Sequence, residues 1–400
     1  MAEALGTRTS PASSGRRIAE IDILRGFALF GILITNVIVA TTVWTAVGPR
    51  DEPVSLFDGT VDQLVRATVD AVFTGRFYLL FAFLFGYSFT LQIAAAQRAG
   101  AAPVRRLLRR CAALLVIGLA HVYFLWIGDI LTLYAVLCLV LITLRTLRPR
   151  TAVITGVVLY TLWSVLSFLP GQGGTLALGE LMNLPAIAAD YTGDFAQTFA
   201  IQTDLAPVFL LLIWIGQGVP SLAMFLFGMA AGKRDLFDDA ATLRRWSPRV
   251  LLIGFGLGVP ISVATFVDAM GWWDGPDFVH GLQYLVAPAM TFAYVAVVLR
   301  LARSARTGRF AALLAPAGRM AATNYIGQSI VMVLVYTGYG LALADDIPPL
   351  GVVAIALVTF AAQLALSAWW LRGHPYGPVE WVLRAATYLD VPPWRKTASV

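Results

Sequence analysis

The sequence predicts an all-α, polytopic integral membrane protein of about ten transmembrane helices, with both termini on the cytoplasmic side. Three observations carry this. Of 400 residues, 58% are hydrophobic and 13% are charged, about half the charge of an ordinary soluble domain. Mean hydropathy is +0.76. The apolar residues fall in runs able to cross about 30 Å of hydrocarbon as helices, with no barrel-type alternation. A soluble globular enzyme, a disordered chain and a coiled coil are excluded.

Residues 1–20 are small, polar and basic. They have no apolar core of signal-peptide type and read as a disordered cytoplasmic segment. Apolar runs follow at 22–43, 77–95, 109–127, 129–146, 151–169, 206–231, 250–268, 281–302, 320–343 and 350–371. They make one transmembrane domain over 21–372, and 373–400 is a cytoplasmic tail. No internal repeat is evident. Cys111 and Cys138 sit inside apolar runs, where an extracellular disulfide is not expected.

Charge sets the orientation. Arg16 and Arg17, the Arg105–Arg110 cluster, Arg145 to Arg150, Arg244 to Arg249 and Arg300 to Arg309 all fall on one side. The other side holds only Arg50, Arg66 and Arg76, with most of the acids. The net charge of +6 is therefore a topology signal, and no nucleic-acid partner is needed to explain it. Two outer loops, 44–76 and 170–205, exceed a tight turn and have the length of functional or lid-like segments. The first contains an amphipathic stretch, Leu56 to Phe73, suited to the membrane surface.

Polar residues inside spans are expensive, and each is a functional candidate. In span 1, Asp22 and Arg25 are spaced to pair. Arg25 and Asn36, eleven residues apart, share a face. Span 3 carries Arg110 and His121, also eleven residues apart. At 100° per residue they lie within about 20° of one another around the helix and about 16 Å apart along it. His121 is either a core histidine bonded to a neighbour or a working imidazole. Arg110, beside Arg109, is either a snorkelling anchor or a ligand contact. The turn Trp126-Ile127-Gly128-Asp129 follows. Asp129 suits the N-cap of span 4, or it orients His121. Pro220 interrupts span 6 and Pro288 interrupts span 8, without forming a symmetric pair. In span 9, Asn324 and Gln328 are i,i+4 neighbours, either inter-helix glue or site residues. Gln217 in span 6 and Gln363 in span 10 pose the same question. His280 and His374 are expected to face solvent. No Walker loop, G-x-S-x-G elbow or metal-spaced ligand set is found.

Several stretches together carry a family resemblance. They are Asp22-Ile-Leu-Arg25-Gly26 through Asn36, Phe81-Ala-Phe-Leu-Phe-Gly86 and Ile117-Gly-Leu-Ala-His121. With them go Trp126-Ile-Gly-Asp129 through Tyr134, Gly318-Arg319 through Asn324-Tyr325-Ile-Gly-Gln328-Ser329, and Gly377-Pro378-Val-Glu380-Trp381. The chain resembles the YeiB-like family of bacterial inner-membrane proteins, whose C-terminal half is a domain of unknown function. That group resembles the transmembrane acyltransferases, including acyltransferase-3 proteins with an Arg-x10-His motif and the heparan glucosaminide acetyltransferase. Arg110 and His121 have that spacing. The resemblance implies transfer of an acyl group from cytosolic acyl-CoA to an extracytoplasmic acceptor, without a metal.

On that expectation Arg110, Arg109, Arg25 and Asn36 hold acyl-CoA. His121 is the general base, with Asp129 orienting it and Asn324 or Gln328 donating to the oxyanion. The alternative is a proton-coupled transporter of a small molecule, in which His121 and the nearby acids relay protons. The expected partners are acyl-CoA, an acceptor and the bilayer. The Gly- and Ala-rich spans permit a homodimer.

Overall fold

The computed structural model describes residues 12–42, 57–166, 168, 191–237, 240–276, 278–344 and 346–396. Among these the regular structure is entirely helical. The helices are α1 (Ala12–Thr42), α2 (Thr60–Val72), α3 (Phe77–Arg98), α4 (Pro103–Phe124), α5 (Leu131–Thr143), α6 (Pro149–Leu166) and α7 (Phe195–Gly232). They continue with α8 (Ala240–Ala269), α9 (Phe278–Arg303), α10 (Gly308–Ala312), α11 (Leu314–Arg319), α12 (Ala321–Tyr336), α13 (Pro349–Gly373) and α14 (Pro378–Tyr388).

Among the described residues, eight helical segments are long and apolar enough to cross a membrane. The chain is a multi-pass membrane protein. The fourth and ninth expected spans are shorter, Leu131–Thr146 and Ala321–Tyr336. At 1.5 Å per residue, 16-residue α12 rises only about 24 Å. Local chemistry explains both starts. The Trp126–Ile130 turn delays α5, and a non-helical Met320 (φ −107°, ψ 37°) separates α12 from α11. The turn before α5 and helix α12 each contribute to the site that α4 carries.

The first outer loop contains α2, whose Ala67, Val69 and Ala71 are buried while Val61 and Leu64 are exposed. It packs on α8 and α13. Residues 43–56 and 169–190, and with them the start of the first expected outer loop and most of the second, lie outside the described residues. α7 begins earlier than its apolar run. A capping box, Asp194 with Gln197, starts it at Phe195.

Two helix crossings are built on paired glycines. A Cβ on Gly86 of α3 would strike the Phe225 backbone of α7, and one on Gly228 of α7 would strike the Phe83 carbonyl. Gly26 of α1 and Gly318 of α11 relate in the same way, against Leu314 and Asp22. Backbones therefore touch where lipid supplies no hydrophobic drive for association. Arg303 of α9 forms a bidentate pair with Glu20 of α1, at 2.8 and 3.0 Å. The tail folds back onto the bundle. His374, expected in solvent, is half-buried, stacked on Trp370 at 4.0 Å and edge-on to Trp394. His280 is exposed beside Asp268 at 3.7 Å.

Candidate functional site

The buried stripe of α4 runs through Leu107, Cys111, Leu114, Gly118 and His121. This is the spacing of one helix face. Gly118 lets the start of α5 approach. A Cβ there would lie 2.7 Å from Thr132 N and 3.1 Å from Asp129 Oδ2. That approach brings Asp129 beside His121.

His121 is 1% exposed and Asp129 is fully buried. Asp129 Oδ1 lies 2.9 Å from His121 Nδ1, and Asp129 Oδ2 accepts the Thr132 amide at 2.7 Å. One carboxylate both caps α5 and orients the imidazole, so the two sequence readings of Asp129 hold together. An ionised Asp129 is acceptor-only, so Nδ1 carries the hydrogen and Nε2 is the acceptor. Ser329 Oγ stands 2.8 Å from Nε2. Its other acceptor, the Tyr325 carbonyl, is at 3.4 Å, so the shorter contact takes the hydroxyl hydrogen. The result is a buried Asp129–His121–Ser329 chain drawn from α4, the turn after it and α12.

Tyr325, one turn before Ser329, covers the imidazole with ring centroids 5.0 Å apart. Its hydroxyl donates to Gly128 O at 3.2 Å and accepts from Ile130 N at 3.3 Å. In the same turn the indole N–H of Trp126 is buried without an acceptor among the described residues.

Tyr325 also lines a cavity of about 300 Å³. Its wall follows α4 from Arg110 to Leu114 and α5 from Tyr134 back to Ile130, towards the His121 layer. Phe81, Phe85 and Leu131 make it apolar, and Arg25, Arg110, Arg319 and Arg384 make it cationic. Arg25 donates to Asp22 at 3.0 Å and to Ser88 at 2.6 Å. Arg110 has no hydrogen-bond or ion-pair partner among the described residues, and its Nε is buried and unpaired. Arg384 lies over the rings of Tyr376 and Tyr388, at 4.9 and 4.6 Å. The cavity's one acid among the described residues is Glu380, and it is already engaged. It accepts from Ala322 N at 2.7 Å, Thr323 N at 3.1 Å and Thr323 Oγ1 at 2.6 Å, capping α12. Burial pushes its carboxyl above the usual range, against those hydrogen bonds.

Asn324 and Gln328 do not meet His121. Asn324 donates to Ala317 O and Ser367 Oγ, and Gln328 donates to Gln363 Oε1 at 3.0 Å. Both tie α12 to its neighbours as inter-helix glue. The next i,i+4 pair, Tyr325 and Ser329, is the one turned towards α4. Arg109 and Asn36 are half-buried and off the cavity wall. Sequence reasoning singled out neither Ser329 nor Arg384. Ser329 had a signal, its one-residue offset from an i,i+4 polar pair. Arg384 had none, because its tail position becomes part of the site only through docking of α14.

A family model, "Protein of unknown function (DUF418)", matches residues 231–390. The chain is 30% identical to "Uncharacterized protein YxaH" of Bacillus subtilis (strain 168), over 98% of this chain and 99% of the relative. The chain belongs to this family. It is also 27% identical to "Uncharacterized 39.9 kDa protein in amylase 3'region" of Bacillus acidopullulyticus, covering 94% of this chain and 96% of that protein. Identity to "Uncharacterized protein YeiB" of Escherichia coli (strain K12) is 25%, over 93% and 96%. The DUF418 match contains Tyr325, Ser329, Glu380 and Arg384, while His121 and Asp129 precede it. The candidate site therefore straddles the boundary of the matched segment.

Proposed function

We propose that this protein is an acyltransferase of the bacterial cytoplasmic membrane, taking the acyl group of cytosolic acyl-CoA and delivering it to an extracytoplasmic acceptor. The observation that supports it best is an arginine-lined apolar cavity whose wall includes Tyr325, the ring that packs on an oriented, buried imidazole. The four arginines suit the phosphates of CoA. The apolar stretch from Leu114 to Ile130 suits the pantetheine arm and the acyl chain. His121, oriented by Asp129 at 2.9 Å, is suited to remove a hydroxyl or amine proton. The acyltransferase likeness of the sequence motifs points the same way.

The test is calorimetric binding of acetyl-CoA and longer acyl-CoAs to the purified chain in nanodiscs, for wild type and Arg110→Ala. Micromolar binding that weakens in the variant supports the reading. Absence of binding at millimolar ligand overturns it and favours the transporter, which proteoliposomes would reveal by movement of an unmodified solute. His121→Ala is expected to abolish transfer while acyl-CoA binding survives.

A further inference from the structure

The proton that His121 is placed to accept belongs to Ser329. Nδ1 is committed to Asp129 at 2.9 Å, so the basic lone pair is on Nε2, and the group 2.8 Å from it is the Ser329 hydroxyl. An external acceptor would have to displace Ser329 to use this base directly. The serine itself is already where a nucleophile stands against its base, with a carboxylate orienting that base from behind. Such an arrangement is recognised by geometry and roles, whatever the fold or the order along the chain. The sequence has no G-x-S-x-G elbow, so no local motif marks this serine.

Burial sharpens the point. Ser329 and His121 are each 1% exposed, so no bulk water competes for Nε2 or stands ready to hydrolyse an ester formed there. Tyr325 both lines the cavity and touches the imidazole. Its ring packs on the imidazole and its hydroxyl is pinned by two backbone bonds. A side chain held at its tip can swing away when those bonds exchange, admitting a thioester from the cavity to the serine.

We infer that Ser329 is the covalent acyl carrier, and that transfer proceeds in two displacements. This rests on the acyltransferase reading. In the first, His121 Nε2 takes the Ser329 proton as Oγ attacks the thioester carbonyl. A C–O bond forms, the C–S bond breaks, and the imidazolium returns its proton to the departing thiolate, giving free CoA. In the second, His121 takes the proton of the acceptor hydroxyl or amine as that group attacks the Ser329 ester. The C–O bond to serine breaks and Oγ recovers a proton from the imidazolium. The site thus holds an acyl group with no CoA bound, which lets donor and acceptor occupy it in turn from opposite sides.

The experiment incubates the purified full chain with radiolabelled acetyl-CoA and no acceptor. Free CoA, label retained after denaturation and the labelled peptide are all read. Wild type is expected to release a burst of about one CoA per chain and to retain matching label on the peptide bearing Ser329. Ser329→Ala is expected to lose burst and label by about a thousandfold while binding acetyl-CoA within about twofold of wild type, which shows it folded. Ser329→Cys is expected to retain label as a thioester that neutral hydroxylamine releases. Label on His121, or transfer by Ser329→Ala at the wild-type rate, overturns the serine carrier and leaves acyl transfer standing. A wild-type chain that neither binds acetyl-CoA nor releases CoA overturns both.

Discussion

Asp129 reaches back across the α4–α5 turn to hold His121 Nδ1 at 2.9 Å, using one carboxylate oxygen while the other accepts the Thr132 amide. The start of a helix and the orientation of a buried imidazole thus depend on the same side chain. Two donors face two acceptor oxygens, and an amide in place of the carboxylate would satisfy only one of them. Asp129→Asn is therefore expected to lower turnover by about 10²- to 10⁴-fold, the share ordinarily supplied by general acid–base catalysis. It is also expected to cost about 1–3 kcal/mol of stability for the donor left unpaired. CoA release and thermal melting of one preparation check both.

Gly118 tests whether the close approach of α4 and α5 is needed. In an exposed helix interior, Gly→Ala stabilises by about 1 kcal/mol. Here the new methyl group would sit 2.7 Å from Thr132 N. Gly118→Ala is expected to destabilise by about 1–3 kcal/mol instead, and to reduce turnover by moving Asp129 off His121. A raised melting temperature would show that the crossing is loose.

Glu380 predicts a pH dependence. Burial raises its pKa above the ordinary 4.5, so the folded chain binds this proton more readily than the unfolded one. Its contribution to stability is then fullest below about 4.5 and declines as pH rises through the raised value. Glu380→Gln, neutral throughout, is expected to remove that slope when melting is followed from pH 4 to 8. Glu380→Ala is expected to cost about 1–2 kcal/mol by uncapping α12.

Arg384 assigns a role to the C-terminal helix. It is the cation that α14 contributes to the cavity, and Arg384→Ala is expected to weaken acyl-CoA binding by about 10- to 100-fold, the scale of a charge-assisted contact. Arg109→Ala, off the cavity wall, is expected to leave binding within about twofold. Isothermal titration of the two variants side by side distinguishes a built site from general attraction to a basic surface.

The sequence by itself determined the membrane-spanning character of the helices and the shared face of Arg110 and His121. Hydropathy runs and a 3.6-residue period are properties of consecutive residues, so they can be read without a partner. It also left both roles open for Asp129, and the structure shows that the two carboxylate oxygens perform one each. What only the tertiary structure decided is which polar stripe of α12 meets His121. Asn324 with Gln328 and Tyr325 with Ser329 have the same spacing and differ by one step of 100° around the helix. That rotation is set by packing against α1 and α13, which no spacing within α12 records. The same holds for Arg384 and Glu380. They join the site because α14 folds back under α12, and a contact between residues some 60 positions apart depends on that return path.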